Sequence, residues 1–195
     1  MRGSLMNMAA TKPRERILAT ATALFSAEGI SAVGINRIIA EAKVAQMTPY
    51  RQFKSKNELV VATLEQWSAE WLHDLADRVD QQGDDPLARY LGLWDALEEW
   101  FASDDFRGSF VANAAAELRS SPDHPAHAVI ASHRQAVREL LTDLAKKAGA
   151  GDPPALAAQL QVLLDGAIAL AAVDHQPAAA RNARAMALAA LESND

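Results

Sequence analysis

The run Gln46-Met47-Thr48-Pro49-Tyr50-Arg51-Gln52-Phe53 gathers hydrogen-bond donors and a cation on one side of a short helix. On a helical wheel of 100° per residue, Pro49 and Phe53 point one way. Met47, Arg51 and Lys54 point the other, flanked by Thr48 and Tyr50. Such a face suits base edges and phosphates. Arginine grips guanine O6 and N7 with two bonds, while hydroxyl and ammonium groups fix the register on the backbone. An ordinary solvated helix face can have the same composition, so the elements on either side must decide.

A helix of two turns cannot stand alone and has to be held by its neighbours. Upstream, Ile35, Ile38, Ile39 and Ala42 form a helical apolar stripe, and Lys43-Val44-Ala45 supplies a tight turn with one buried anchor, Val44. Two short helices across such a turn have the sequence shape of a helix-turn-helix. A preceding helix starts near Thr11–Pro13, ends at Gly29, and buries Ile17, Ala21, Leu24 and Phe25. Downstream, Ser55-Lys56-Asn57-Glu58 matches the capping box, in which Ser55 accepts from the Glu58 N–H and Glu58 reaches back to the cap. The helix that opens there presents free N–H groups beside Lys54 and Lys56, which makes a phosphate seat.

Charge is divided in the same way. The net charge of −6 over 195 residues hides a front, residues 1–56, with nine basic and three acidic groups, or +6. The remainder carries ten basic and twenty-two acidic groups, or −12. A basic front on an acidic body is a footprint for a polyanion at one end. There is no cysteine, which excludes disulfides, zinc thiolate sites and cysteine nucleophiles. The longest uncharged apolar run, Gly166 to Val173, is too short to span a bilayer, and Met1 to Lys12 lacks the apolar core of a signal peptide. The opening MRGS resembles an expression-vector leader. The expected compartment is the cytoplasm, with no membrane partner.

Catalytic signatures are missing. The chain has no H-E-x-x-H, no G-x-S-x-G and no Walker loop, and Gly149-Ala150-Gly151 follows a helix instead of a strand. His124 and His127 beside Asp123 are the one candidate metal cluster, in a loop broken by proline, and Glu98-Glu99 point apart on a helix. No enzyme activity, cofactor or metal is expected.

The rest of the chain reads as helices throughout. One runs from Lys56 to about Gln82, one follows Pro86, one carries Phe106, Phe110, Ala114 and Leu118, and one spans about Ala126 to Ala148. An aromatic-lined cavity among them is expected to bind a small molecule. Its candidate lining is Trp67, Trp71, Trp94, Phe110, Asn113, Glu117 and His133, with Asn113 and Glu117 (i, i+4) as its polar pair. The last two helices carry broad apolar faces: Leu156, Leu160, Leu163, Leu164, Ala167, Ile168 and Ala171, then Ala183, Met186, Ala187, Ala190 and Leu191. A four-helix interface between two copies would cover them, and burial within one chain is the alternative.

The segment GISAVGINRIIAEAKVAQMTPYRQFKSKNEL resembles the DNA-binding domain of the tetracycline-repressor (TetR) family of bacterial transcription regulators. The resemblance rests on the glycine that ends a first helix, the short reader helix with its Tyr-x-x-Phe pattern at Tyr50 and Phe53, and Lys54-Ser55-Lys56-Asn57-Glu58-Leu59 opening the next helix. It implies an all-α fold of about nine helices. Residues 1–56 would be a three-helix DNA-binding domain, and residues 57–195 a helical ligand-binding and dimerisation domain. The implied partners are a double-stranded operator, a small-molecule effector and a second copy joined through the last two helices. The DNA-binding set is Arg37, Lys43, Ala45, Gln46, Met47, Thr48, Tyr50, Arg51, Lys54 and Lys56. Four residues depart from the family pattern: Gly34 for a capping Ser or Thr, Lys43 for a turn glycine, Ala45 for a Ser cap, and Pro49 for Leu. If the backbone at 43 needs a positive φ, lysine there costs on the order of 1 kcal/mol. The expected function is a ligand-released repressor. The alternative is a helical ligand-binding or interaction protein whose helix-turn-helix is only structural.

Overall fold

The structure is a computed structural model that describes residues 12–45 and 52–194. Among these residues every regular element is helical. There are eight α-helices: α1 Pro13–Glu28, α2 Ile35–Ala42, α3 Lys56–Asp80, α4 Pro86–Phe101, α5 Phe110–Glu117, α6 Ala126–Lys147, α7 Pro153–Asp174 and α8 Ala178–Glu192. One turn of 3-10 helix, Leu118–Ser120, follows α5. The reader run Gln46 to Arg51 lies outside the described residues.

The chain divides into two compact units. One gathers the residues up to Ala69 with Ser109–His133, and the other Glu70–Gly108 with the residues from Arg134 onward. Neither unit ends at residue 56.

The first unit has a core fed by α1, α2, α3, α5 and, through Ala126 and Ile130, α6. Ile17, Ala21, Leu24 and Phe25 of α1 are all buried, as their spacing predicts, and meet Ile38 and Ala42 of α2, Phe53, and Leu59, Val60 and Leu64 of α3. Ile30 and Val33 from the α1–α2 turn join them, with Val44 packed at the edge. Helix α5 contributes as well: its Phe110, Val111 and Ala114, with Leu118 just beyond, are part of the same cluster. Phe106 does not extend this helix, contrary to the sequence expectation. Ser109 starts α5 by accepting the Ala112 N–H at 3.2 Å. Phe106 instead packs its ring 5.0 Å from Trp100 and 5.0 Å from Phe101 in the other unit.

The second unit is built around Trp94 and Tyr90 of α4, each about 1% exposed. The Tyr90 hydroxyl donates to the Ala187 carbonyl of α8 at 2.8 Å, and burial pushes its pKa up to about 12. Two further ties join the same pair of helices, Arg184 Nε to Asp95 at 3.1 Å and Arg181 to Glu98. Asp85 and Asp152 cap α4 and α7 through their side chains, each just ahead of a proline in the first helical turn.

Helix α7 corrects the expectation that no segment is long enough for a bilayer. Its 22 residues include an 18-residue window of mean hydropathy 1.8, of which 44% is buried within the chain. Asp165 interrupts the uncharged apolar run, whereas the mean hydropathy of the whole helix averages over it.

Candidate nucleic-acid interface

The turn that leads into the reader run is described up to Ala45. Helix α2 closes on Lys43, which adopts φ 51° and ψ 44°. The Val44 N–H bonds the Ile39 carbonyl at 3.5 Å and the Lys43 N–H the Ala40 carbonyl at 3.3 Å. This is the Schellman pattern, with lysine in the left-handed position that glycine usually fills. The helix end is sealed from another side by Arg16 of α1. Its Nη2 donates to the carbonyls of Ala42 at 2.5 Å and Lys43 at 2.7 Å. A guanidinium at the negative end of a helix satisfies both the orphan acceptors and the dipole. At the other end, Gly34 leaves α2 with no side-chain cap.

On the far side of the reader run, the Ser55 hydroxyl accepts the Glu58 N–H at 3.1 Å. The Glu58 carboxylate reaches one residue further back than the expected box, to the Lys54 N–H at 2.6 Å. Phe53 is buried, and the Arg14 guanidinium sits 5.2 Å over its ring. The Lys56 ammonium lies 6.0 Å over the ring of Phe25. Both anchors of this corner therefore carry a cation on an aromatic face.

Of the ten residues expected to meet DNA, Arg37, Lys43, Ala45, Lys54 and Lys56 are described. Gln46, Met47, Thr48, Tyr50 and Arg51 are not. Lys43, Ala45 and Lys54 are exposed and Lys56 half-buried, and among the described residues none of the three lysines forms an ion pair. Arg37 is different. It holds Glu28 of α1 through two contacts, one of them 2.7 Å, and Glu41 of α2 at 2.8 Å. The hydrogen bond to Arg37 holds the Glu28 carboxyl below its ordinary range, and Glu28 first, then Glu41, holds the guanidinium protonated. Arg37 thus clamps α1 to α2. Arg14 and Arg16 were missed as individual site residues, although they contribute to the basic front. Their partners, Phe53 and the end of α2, are distant in sequence.

The family described as "Bacterial regulatory proteins, tetR family" matches residues 17–63. A TetR-family transcriptional regulator from Streptomyces coelicolor is 31% identical, with 94% of this chain and 90% of that one covered at a TM-score of 0.86. The chain belongs to the TetR family. A TetR-type regulator from Streptomyces avermitilis is 29% identical over 95% of this chain and 99% of its own, with a TM-score of 0.81. NemR of E. coli in its reduced form shares the fold at 22% identity, with 90% and 95% covered and a TM-score of 0.79. A comparison with curated proteins returns no match. As a TetR-family member the chain is a DNA-binding transcriptional regulator, and the basic corner just described is the part of it that flanks the reader run.

The residues expected to line the effector cavity of this TetR-family chain fall into both units. In the first, Trp67 stacks edge-on to Phe110 at 6.2 Å and lies 5.8 Å from the ring of His133. His133 Nδ1 and the Ser68 hydroxyl make a buried contact of 2.8 Å. Asn113 is exposed, and Glu117 turns away from it to the α1–α2 turn, where it accepts two backbone N–H bonds. In the second unit Trp94 is core, while Trp71 borders a pocket with Asp74, Leu75, Arg78, Ala96, Leu97 and Trp100. This is a shallow groove open to solvent rather than an enclosed cavity. Ser68 and Asp74 carry no sequence signal, being two polar residues among many on a long amphipathic helix. Of the candidate metal cluster, His124 accepts the Ala126 N–H at 3.2 Å, and among the described residues no three His, Asp or Glu side chains are placed to hold a metal.

The expected dimer stripe is largely consumed within the chain. Leu156, Leu160, Leu164, Ala167, Ile168, Ala171, Ala183 and Ala187 are buried where α7 and α8 pack, and Leu163 and Ala190 are half-buried. Met186 remains, 58% exposed, alongside three residues outside the expected set: Val162 at 72%, Leu170 at 55% and Val173 at 77%. Because α7 is apolar nearly all round, spacing alone could not say which face meets its own chain.

Proposed function

We propose that the protein is a homodimeric repressor that binds an operator through its helix-turn-helix and is released by a small-molecule effector. Residues 1–56 carry the DNA contacts. Gln46 to Arg51 enter the major groove with Arg51 reading guanine, and Lys43, Lys54 and Lys56 neutralise phosphates on either side. Residues 57–195 carry the effector and dimer functions. The observation that supports this reading best is the pair of lysines flanking the reader run, Lys43 and Lys54, both exposed and, among the described residues, outside any ion pair. In the second unit, by contrast, six basic groups, Arg78, Arg89, Arg134, Lys147, Arg181 and Arg184, each face an acid.

The exposed apolar row of α7 and α8 supports a second copy as its cover, in place of a membrane, and a cytoplasmic protein acting on DNA. No catalytic step and no cofactor is assigned.

Selection of bound duplexes from a random DNA pool tests the reading. A dimer enriches an inverted repeat whose half-sites are centred about one helical turn, 10–10.5 base pairs, or a multiple apart. A pool that shows no enrichment contradicts operator binding and leaves the helix-turn-helix a structural element.

A further inference from the structure

One side chain joins α5 to the turn between α1 and α2. Glu117, the last residue of α5, accepts the Ile30 N–H on Oε1 at 2.9 Å and the Ser31 N–H on Oε2 at 2.9 Å. Carboxylate acceptors make the stronger class of hydrogen bond. Gly29 serves the same contact. It turns the chain at φ 89°, and a Cβ there would stand 2.9 Å from Glu117 Oε1. Glycine therefore both ends α1 and leaves room for the carboxylate. Beneath the contact, Phe110 and Ala114 share a core with Phe25, Ile30 and Ile38. Helix α5 is thus a wall of the helix-turn-helix, although it lies some eighty residues away in sequence.

We propose that Glu117 is a positioning residue for operator binding. Its carboxylate holds the Gly29–Ser31 turn, and through it the start of α2, in the placement that presents the reader run. Both bonds run to one carboxylate, so a displacement of α5 that breaks one strains the other, and the contact is made or lost as a unit. A ligand that prefers the placement of α5 lacking this contact lowers DNA affinity by as much as it prefers that placement. The proposal rests on the operator-binding reading above.

The test compares full-length wild type, Glu117→Gln and Glu117→Ala. Affinity for a duplex selected by the wild-type protein is measured by fluorescence anisotropy, with thermal unfolding followed in parallel. The glutamine variant keeps the size and one acceptor oxygen, and alanine removes both acceptors. The expected result is a loss of about tenfold or more for alanine, equal to about 1.4 kcal/mol, and a smaller loss for glutamine, while both remain folded at the assay temperature. Acetate added at constant ionic strength should restore part of the alanine variant's affinity by occupying the vacated N–H groups, and should not strengthen wild type. Wild-type affinity in the alanine variant overturns the proposal. So does a loss that follows only the unfolded fraction and does not respond to acetate. If the alanine variant does not fold, the glutamine variant decides: weaker binding by folded protein supports the proposal, and unchanged binding overturns it. If wild type itself selects no duplex, the operator-binding reading fails and the proposal with it.

Discussion

Lys43 closes α2 in a left-handed backbone conformation. A lysine in the left-handed region costs on the order of 1 kcal/mol relative to glycine, because its Cβ crowds the following carbonyl. The Schellman turn over Ile39–Val44 needs that conformation, and Arg16 secures it from α1. Lys43→Gly should therefore stabilise the fold by roughly 0.5–1 kcal/mol in denaturant unfolding while weakening DNA binding through the lost charge, with glycine's larger unfolded-state entropy offsetting part of the gain. Unchanged or lower stability would mean that the turn carries no strain at this position. The sequence raises a positive φ here only as a condition, through the resemblance that puts a turn glycine at 43, and the backbone meets it. The ion pair of Arg37 with Glu28 was not legible in the sequence. A basic residue on a basic front is indistinguishable in sequence from a DNA contact, and only the fold brings Glu28 of α1 within its reach.

At the scale of elements, α1, α2 and the capped start of α3 were legible because their signals are local: Gly29, the Ile38-Ile39-Ala42 stripe and the Ser55–Glu58 cap. Helix α5 was legible as a helix but not as part of the DNA-binding core, since nothing in Phe110-Val111-Ala114 says which partner it will bury against. Its burial beside Phe25 and Ile30 gives a direct expectation. Phe110→Ala should cost about 3–5 kcal/mol, and hydrogen exchange should locate the loss in α1 and α2 as well as in α5. A loss confined to α5 and α6 would contradict a shared core. The polar pair Asn113 and Glu117 was singled out for its spacing, yet one of the two is spent on backbone N–H groups. Periodicity places two residues on one face without saying what that face meets.

At the scale of the whole molecule, Val162, Leu170, Val173 and Met186 are large apolar side chains left exposed on α7 and α8, the surface on which the proposed dimer would close. Val173→Glu, at a site 77% exposed in the single chain, should leave the protomer folded and convert dimer to monomer in sedimentation equilibrium. A stable dimer in that variant would place the interface elsewhere. The division of charge, +6 on residues 1–56 against −12 on the rest, gives the central claim its most direct test. The measurement is the salt dependence of operator affinity. With about 6–10 phosphates neutralised per complex, affinity should fall by roughly 10³–10⁵ between 50 and 200 mM salt, because each contact releases condensed counterions. An affinity that stays flat across that range would contradict a DNA-binding role for the basic front.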